Sequence, residues 1–121
     1  MRAFVDQPSE TMSGTQSIRF DYKNPGQDSV KLFSITIKIN TATADPRPAY
    51  AEVGPDPFGS TKIIAMGTAS GYNDYVVRFS PPVLINPNHS LAIHGFGDQG
   101  SEIGCQYETD DSLNFIGVNQ F

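Results

Sequence analysis

The sequence predicts one all-β domain, an antiparallel β-sandwich of jelly-roll type preceded by an extended N-terminal arm. Apolar residues recur at period two wherever a run is long enough to measure, as in Ile18, Phe20 and Tyr22 or Ile35, Ile37 and Ile39. No window of about a dozen residues places apolar side chains at helical spacing. Pro, Gly, Asn and Asp punctuate the chain roughly every 8 to 15 residues, the rhythm of short strands joined by turns. A chain of 121 residues buries roughly two thirds of the surface its unfolded form exposes, enough for one core and too little for two.

Residues 1–16 read as the arm, because they are polar and their apolar members stand apart, with Phe4 and Val5 adjacent. Ser17 to Tyr22 alternates as a half-buried strand, and Asn24-Pro25-Gly26 supplies the Pro and Gly of a type II turn. The strongest strand runs from Val30 to Ile39, with Phe33, Ile35, Ile37 and Ile39 on one face. Val30 and Leu32 fall out of phase with that set, which predicts a bulge near Leu32 and Phe33 or burial of both faces there. A proline-bearing loop follows, then a short strand from Ala49 to Val53 and a second Pro/Gly loop, VGPDPFGS. Ile63, Ile64 and Met66 begin a strand that Gly67 weakens. Tyr75, Val77 and Phe79 share one face of the next. Pro81 and Pro82 cannot donate to a ladder, so Val83 to Ile85 reads as a separate short edge piece. Asn86-Pro87-Asn88 turns the chain into Leu91, Ile93 and Gly95, and the runs Ile103 to Tyr107 and Leu113 to Val118 complete eight or nine strands. An antibody-like order is disfavoured, since the chain has no Trp and a single Cys.

The run YVVRFSPPVLINPNHSLAIHG, Tyr75 to Gly95, resembles the closing half of small jelly-roll modules in phage virion proteins and bacterial surface proteins, and VKLFSITIKI resembles their long core strand. The likeness spans roughly residues 17–107 and consists of hydrophobicity and turn patterns. It implies the fold, and as a function an accessory protein of the virion, a capsid decoration or cement protein.

Charge excludes one class of partner. Residues 1–78 hold all eight basic residues and eight acidic ones, so Asp98, Glu102, Glu108, Asp110 and Asp111 account for the whole net charge of −5. Without clustered Lys and Arg to neutralise phosphates, nucleic acid is not an expected partner. Neither is a membrane: no stretch approaches the roughly 20 apolar residues of a span, and MRAFVDQPSE lacks the apolar region of a signal peptide.

The chemistry-bearing residues argue against an enzyme. His89 and His94 are five apart, a separation that puts side chains on opposite faces of a strand, so they do not predict a joint metal site. Cys105 reads as a small buried hydrophobe rather than a nucleophile, and no nucleophile elbow or phosphate loop occurs. Asp98, Glu102, Glu108, Asp110 and Asp111 offer oxygen ligands in two loops, but their spacing matches no calcium loop and a solvated acidic edge is the plainer reading. No cofactor is expected. Two binding functions remain. In the first, the arm clasps neighbouring subunits through Phe4 and Val5, the chain sits on the capsid surface against the major capsid protein or other virion subunits, and copies cluster, with a trimer the expected arrangement. In the second, the domain binds a carbohydrate or receptor through the aromatics in or beside loops, Tyr50, Phe58, Tyr72 and Phe96.

Overall fold

The computed structural model describes residues 2–14, 16–40, 47–55, 62–69 and 73–121. Among them are nine strands and no helix: β1 (Ala3–Thr11), β2 (Gln16–Lys23), β3 (Val30–Ile39), β4 (Arg47–Gly54), β5 (Lys62–Ala69), β6 (Asn73–Ile85), β7 (Ser90–Gly97), β8 (Glu102–Thr109) and β9 (Asn114–Gln120). Two antiparallel sheets form, in the orders β1-β8-β3-β6 and β5-β4-β7-β2-β9. Strand β1 pairs with β8, β2 with β7, β3 with β6 and β4 with β5. This is the nested pairing of a jelly roll: one long hairpin rolled so that its successive rungs alternate between two sheets. Strand β9 adds a fifth member beside β2.

The core lies between the sheets and follows the period-two pattern. Ile18, Phe20 and Tyr22 of β2 face Ile35, Ile37 and Ile39 of β3, and Ile93, Ile103, Cys105 and Tyr107 join them, each nearly inaccessible. The expected bulge is present: the register of β3 shifts between Leu32 and Ser34 against both of its neighbours. Its consequence for Phe33 differs from the sequence reading. The shift sends Leu32 inward with Ile35 and leaves Phe33 half-buried on the outer face, where the Arg2 guanidinium lies 3.9 Å from its ring centroid.

The arm requires a larger correction. Residues 3–11 are β1, an edge strand of the sandwich, and the domain therefore begins near Ala3 rather than at residue 17. An edge strand can be this polar because only one face meets the core: Val5 packs inward while Phe4 points out. Met12, just past β1, is buried and exchanges backbone bonds with Gly100 and Ser101. Gly104 marks where β1 crosses most closely, since a β-carbon there would lie 2.8 Å from Ser9 Oγ.

Val83 to Ile85 is likewise no separate piece. It ends the 13-residue β6, whose Ser80-Pro81 bond is cis. Pairing with β3 runs over 73–78 and 83–85 and lapses between, opposite the bulge, so the two prolines sit where no ladder bond is required of them.

Candidate functional site

Strand alternation gives each sheet an outer face, and cross-strand register assembles rows across it. On the five-stranded sheet, Tyr50 of β4 lies opposite His94 of β7, His94 opposite Arg19 of β2, and Arg19 opposite Asn119 of β9. The next row is Glu52, Ala92, Asp21 and Gly117. One row is thus bulky, aromatic and cationic. The other sets two carboxylates on either side of an alanine.

These residues reach across the rows. Arg19 Nε lies 2.7 Å from Asp21 Oδ1, both side chains being 7% exposed. His94 Nε2 lies 2.7 Å from Glu52 Oε1, with side chains 10% and 13% exposed. The Tyr50 ring stacks on the imidazole with centroids 4.1 Å apart and planes 11° from parallel, and Phe96 lies 6.3 Å from Tyr50. Phe121 closes the far side, its ring centroid 5.2 Å from the Arg19 guanidinium carbon. An outward sheet face ordinarily wets its charges, whereas this one covers Arg19, Asp21 and Glu52 together with the His94 imidazole, at a desolvation cost that close pairing offsets.

The electrostatics follow from that cover. Burial holds the His94 imidazole below its ordinary pKa, against the opposing pull of the Glu52 carboxylate. Near neutral pH the ring is therefore uncharged, with one nitrogen a donor and the other an acceptor. Burial first, and Glu52 second, push the Tyr50 hydroxyl above its ordinary value, so it remains a neutral donor. The floor is charged but internally paired. Its rim of Tyr50, Phe96 and Glu52 is half-buried and meets solvent.

Tyr50 and Phe96 are thus brought together as the carbohydrate reading requires, while Phe58 and Tyr72 lie outside the described residues. Phe4 and Val5 are not brought together, since adjacent residues of β1 face opposite sides and Val5 belongs to the core. His89 sits in the β6–β7 turn, donating its backbone N–H to Asn86 and accepting from Asn24, away from His94. Cys105 is buried against the Tyr22 hydroxyl at 3.4 Å, and burial pushes its thiol up to about 12, which suppresses the thiolate. The acidic residues are engaged separately. Glu102 accepts from Asn40 Nδ2, Glu108 pairs with Arg2 and Ser34, Asp110 accepts from the Lys31 backbone, and Asp111 from that of Ser112. No group of three potential metal ligands converges among the described residues.

Sequence reasoning missed the roles of Arg19, Asp21 and Glu52. The signal available was local: Arg-x-Asp in β2 and Tyr-x-Glu in β4 each place two polar residues on one strand face. What no local pattern supplies is that both strands flank β7.

No family model matches this chain, and no curated protein does. Among solved structures it is similar to a mitogen from Yersinia pseudotuberculosis, with 7% identity, a TM-score of 0.40, and 93% of this chain and 89% of that one covered. It is also similar to part of a family GH115 4-O-methyl-alpha-glucuronidase with specificity for decorated arabinogalactans, at 15% identity and a TM-score of 0.35. That match covers 86% of this chain and spans 14% of the glucuronidase. Neither reaches a TM-score of 0.5, and neither bears on what this chain binds.

Proposed function

We propose that this chain is a non-catalytic binding module that takes a carbohydrate on the outer face of its five-stranded sheet. The observation that carries the reading is the stack of Tyr50 on His94, with Phe96 beside it, next to the close Arg19–Asp21 and His94–Glu52 contacts. Aromatic rims stack on the apolar faces of sugar rings, and fixed carboxylates and imidazoles accept from and donate to hydroxyls. The buried pairs hold the floor rigid before ligand arrives, which limits the ordering cost of binding. The test is titration of the protein with neutral and acidic oligosaccharides, followed by amide and ring chemical shifts. Tyr50, His94 and Phe96 should move together on binding, and Tyr50→Ala or Phe96→Ala should weaken it by about tenfold or more. Glycans that leave all three resonances unmoved, or bind equally to both variants, overturn the reading.

A second reading, the capsid decoration protein, is favoured by one observation: Phe4, on the outer face of the four-stranded sheet, is 65% exposed. As a large apolar side chain exposed on an edge strand, it suits an anchor to a major capsid protein or other virion subunit. Because β1 is part of the sandwich, truncation does not test this. Phe4→Asp does: it should leave the melting temperature unchanged and abolish attachment to the particle, and full attachment by the variant rules the anchor out.

A further inference from the structure

We propose that β9 is a self-association edge, through which a second copy of this chain extends the five-stranded sheet across a twofold axis near Asn119. The inference is independent of the carbohydrate reading and starts from how the sheet edges differ. Edge strands invite pairing with other chains, and charges, prolines or backbone irregularities normally block it. Charges or prolines do so on three of the four edges, whereas β9 has only a register shift, between Phe115 and Gly117. Strand β1 has Asp6, Pro8, Glu10 and a register shift; β6 has Asp74, Arg78, Pro81 and Pro82; β5 starts at Lys62 and contains Gly67 at φ +98°. Strand β9, Asn114–Gln120, has neither charge nor proline. It also exposes Phe115 at 48% and Ile116 at 60%, and Phe121, which extends its ladder, at 55%.

The hydrogen-bond phase of β9 fixes what the edge offers. Ser17 and Phe121 exchange both backbone bonds, so the register makes Arg19 with Asn119 and Asp21 with Gly117 the next bonded pairs. The main chains of Val118 and Gln120 therefore point away from β2. An antiparallel copy that pairs Val118 with Gln120 of its twin adds about four main-chain bonds. That register keeps the irregularity near Ile116 outside the overlap and sets Phe121 opposite Gly117 of the twin. A β-carbon at Gly117 would meet nothing within 4 Å, so the gap accepts the ring, twice over by symmetry.

Charge restricts where, and in which orientation, a second copy can approach. Two chains of net charge −5 repel, and a neutral strand is where they can approach. The acidic turn of Asp110 and Asp111 precedes β9, so antiparallel pairing places the two turns at opposite ends of the joint sheet.

Analytical ultracentrifugation of the full chain, from about 1 µM to about 1 mM, tests the proposal. The wild type should pass from monomer to dimer across that range. Asn119→Asp sets two carboxylates face to face at the axis while leaving each opposite its own Arg19, and it should weaken association at least about tenfold with an unchanged thermal melt. Phe121→Ala tests the same contact without new charge and should also weaken it. Val76→Asp, on the β6 edge, should leave the equilibrium as it was. A wild type that stays monomeric throughout, or an oligomer of any order that survives both β9 variants, overturns the proposal.

Discussion

Charges stand on both outer faces of this sandwich, yet the two faces hold them in opposite ways. On the four-stranded sheet, Lys38 Nζ lies 3.3 Å from Asp6 Oδ1, and the side chains remain 39% and 63% exposed. On the five-stranded sheet, Arg19 and Asp21 approach to 2.7 Å and are 7% exposed. Water still solvates the first pair and competes with its attraction, so its net contribution is small. The second pair has given up most of its hydration, so removing the guanidinium leaves the Asp21 carboxylate covered. One face is built to be wetted. The other is a fixed polar floor beneath an aromatic rim, which is why the candidate site lies there.

The largest expected effect removes part of the first face altogether. Deleting residues 1–13 takes away β1, including Val5 and the Gln7 side-chain Oε1 that accepts from the Tyr22 hydroxyl at 3.4 Å, and it takes Met12 from the core. Tyr22 and Cys105 then lose their cover. The truncated chain should lose cooperative melting in calorimetry. A sharp transition within a few degrees of the full chain would restore the arm as a separate element.

Second in size is Arg19→Ala, which strands the Asp21 carboxylate in a covered site. The expected loss is about 3 to 5 kcal/mol in denaturant unfolding. A loss below about 1 kcal/mol would mean that Asp21 is wetted after all and that the contrast between the faces is false.

How far each face was legible in the sequence depends on the range of the signal. Period-two alternation in Ile18 to Tyr22 and Ile35 to Ile39 assigns inward faces from neighbours two residues away, and the phase slip at Leu32 locates the bulge. Strand β1 escaped because an edge strand with one core face needs few apolar residues, and Pro8 reads as a breaker. The Arg19–Asp21 pair lies within one strand and is visible as Arg-x-Asp. The His94–Glu52 pair joins residues 42 positions apart in the chain (94 − 52), through a strand neighbourhood that only the roll creates. The apolar character of Phe33 predicts an inward side chain, and the bulge turns it out towards Arg2.

A third effect probes the covered face by pH. The folded state holds His94 below its ordinary pKa, whereas the unfolded chain titrates it near about 6.5. Above that value both states carry the neutral ring, and the stability that depends on it is complete. As pH falls through about 6.5 the unfolded state takes the proton first, so stability declines, by at most about 1.4 kcal/mol per pH unit for one group, until the folded ring is also protonated. Melting temperatures between about pH 7 and pH 5.5 should fall less steeply for His94→Gln than for the wild type. Parallel curves would place the wild-type imidazole in water.

The smallest effect belongs to the wetted face. Lys38→Ala removes the partner of Asp6, but both side chains are well exposed, and Asp6 keeps its hydration when the ammonium goes. An exposed pair of this kind contributes about 0 to 1 kcal/mol, and less as salt screens it. Lys38 also sits on β3, whose inward neighbours Ile37 and Ile39 hold the strand without it. The variant should therefore unfold within about 1 kcal/mol of the wild type, and raising the salt to about 1 M should shrink the difference further. A loss near that of Arg19→Ala would show that the Asp6–Lys38 contact, reaching over β8, ties β1 to β3 as firmly as the ladder does. The two faces would then differ only in exposure and not in how they bear on the fold.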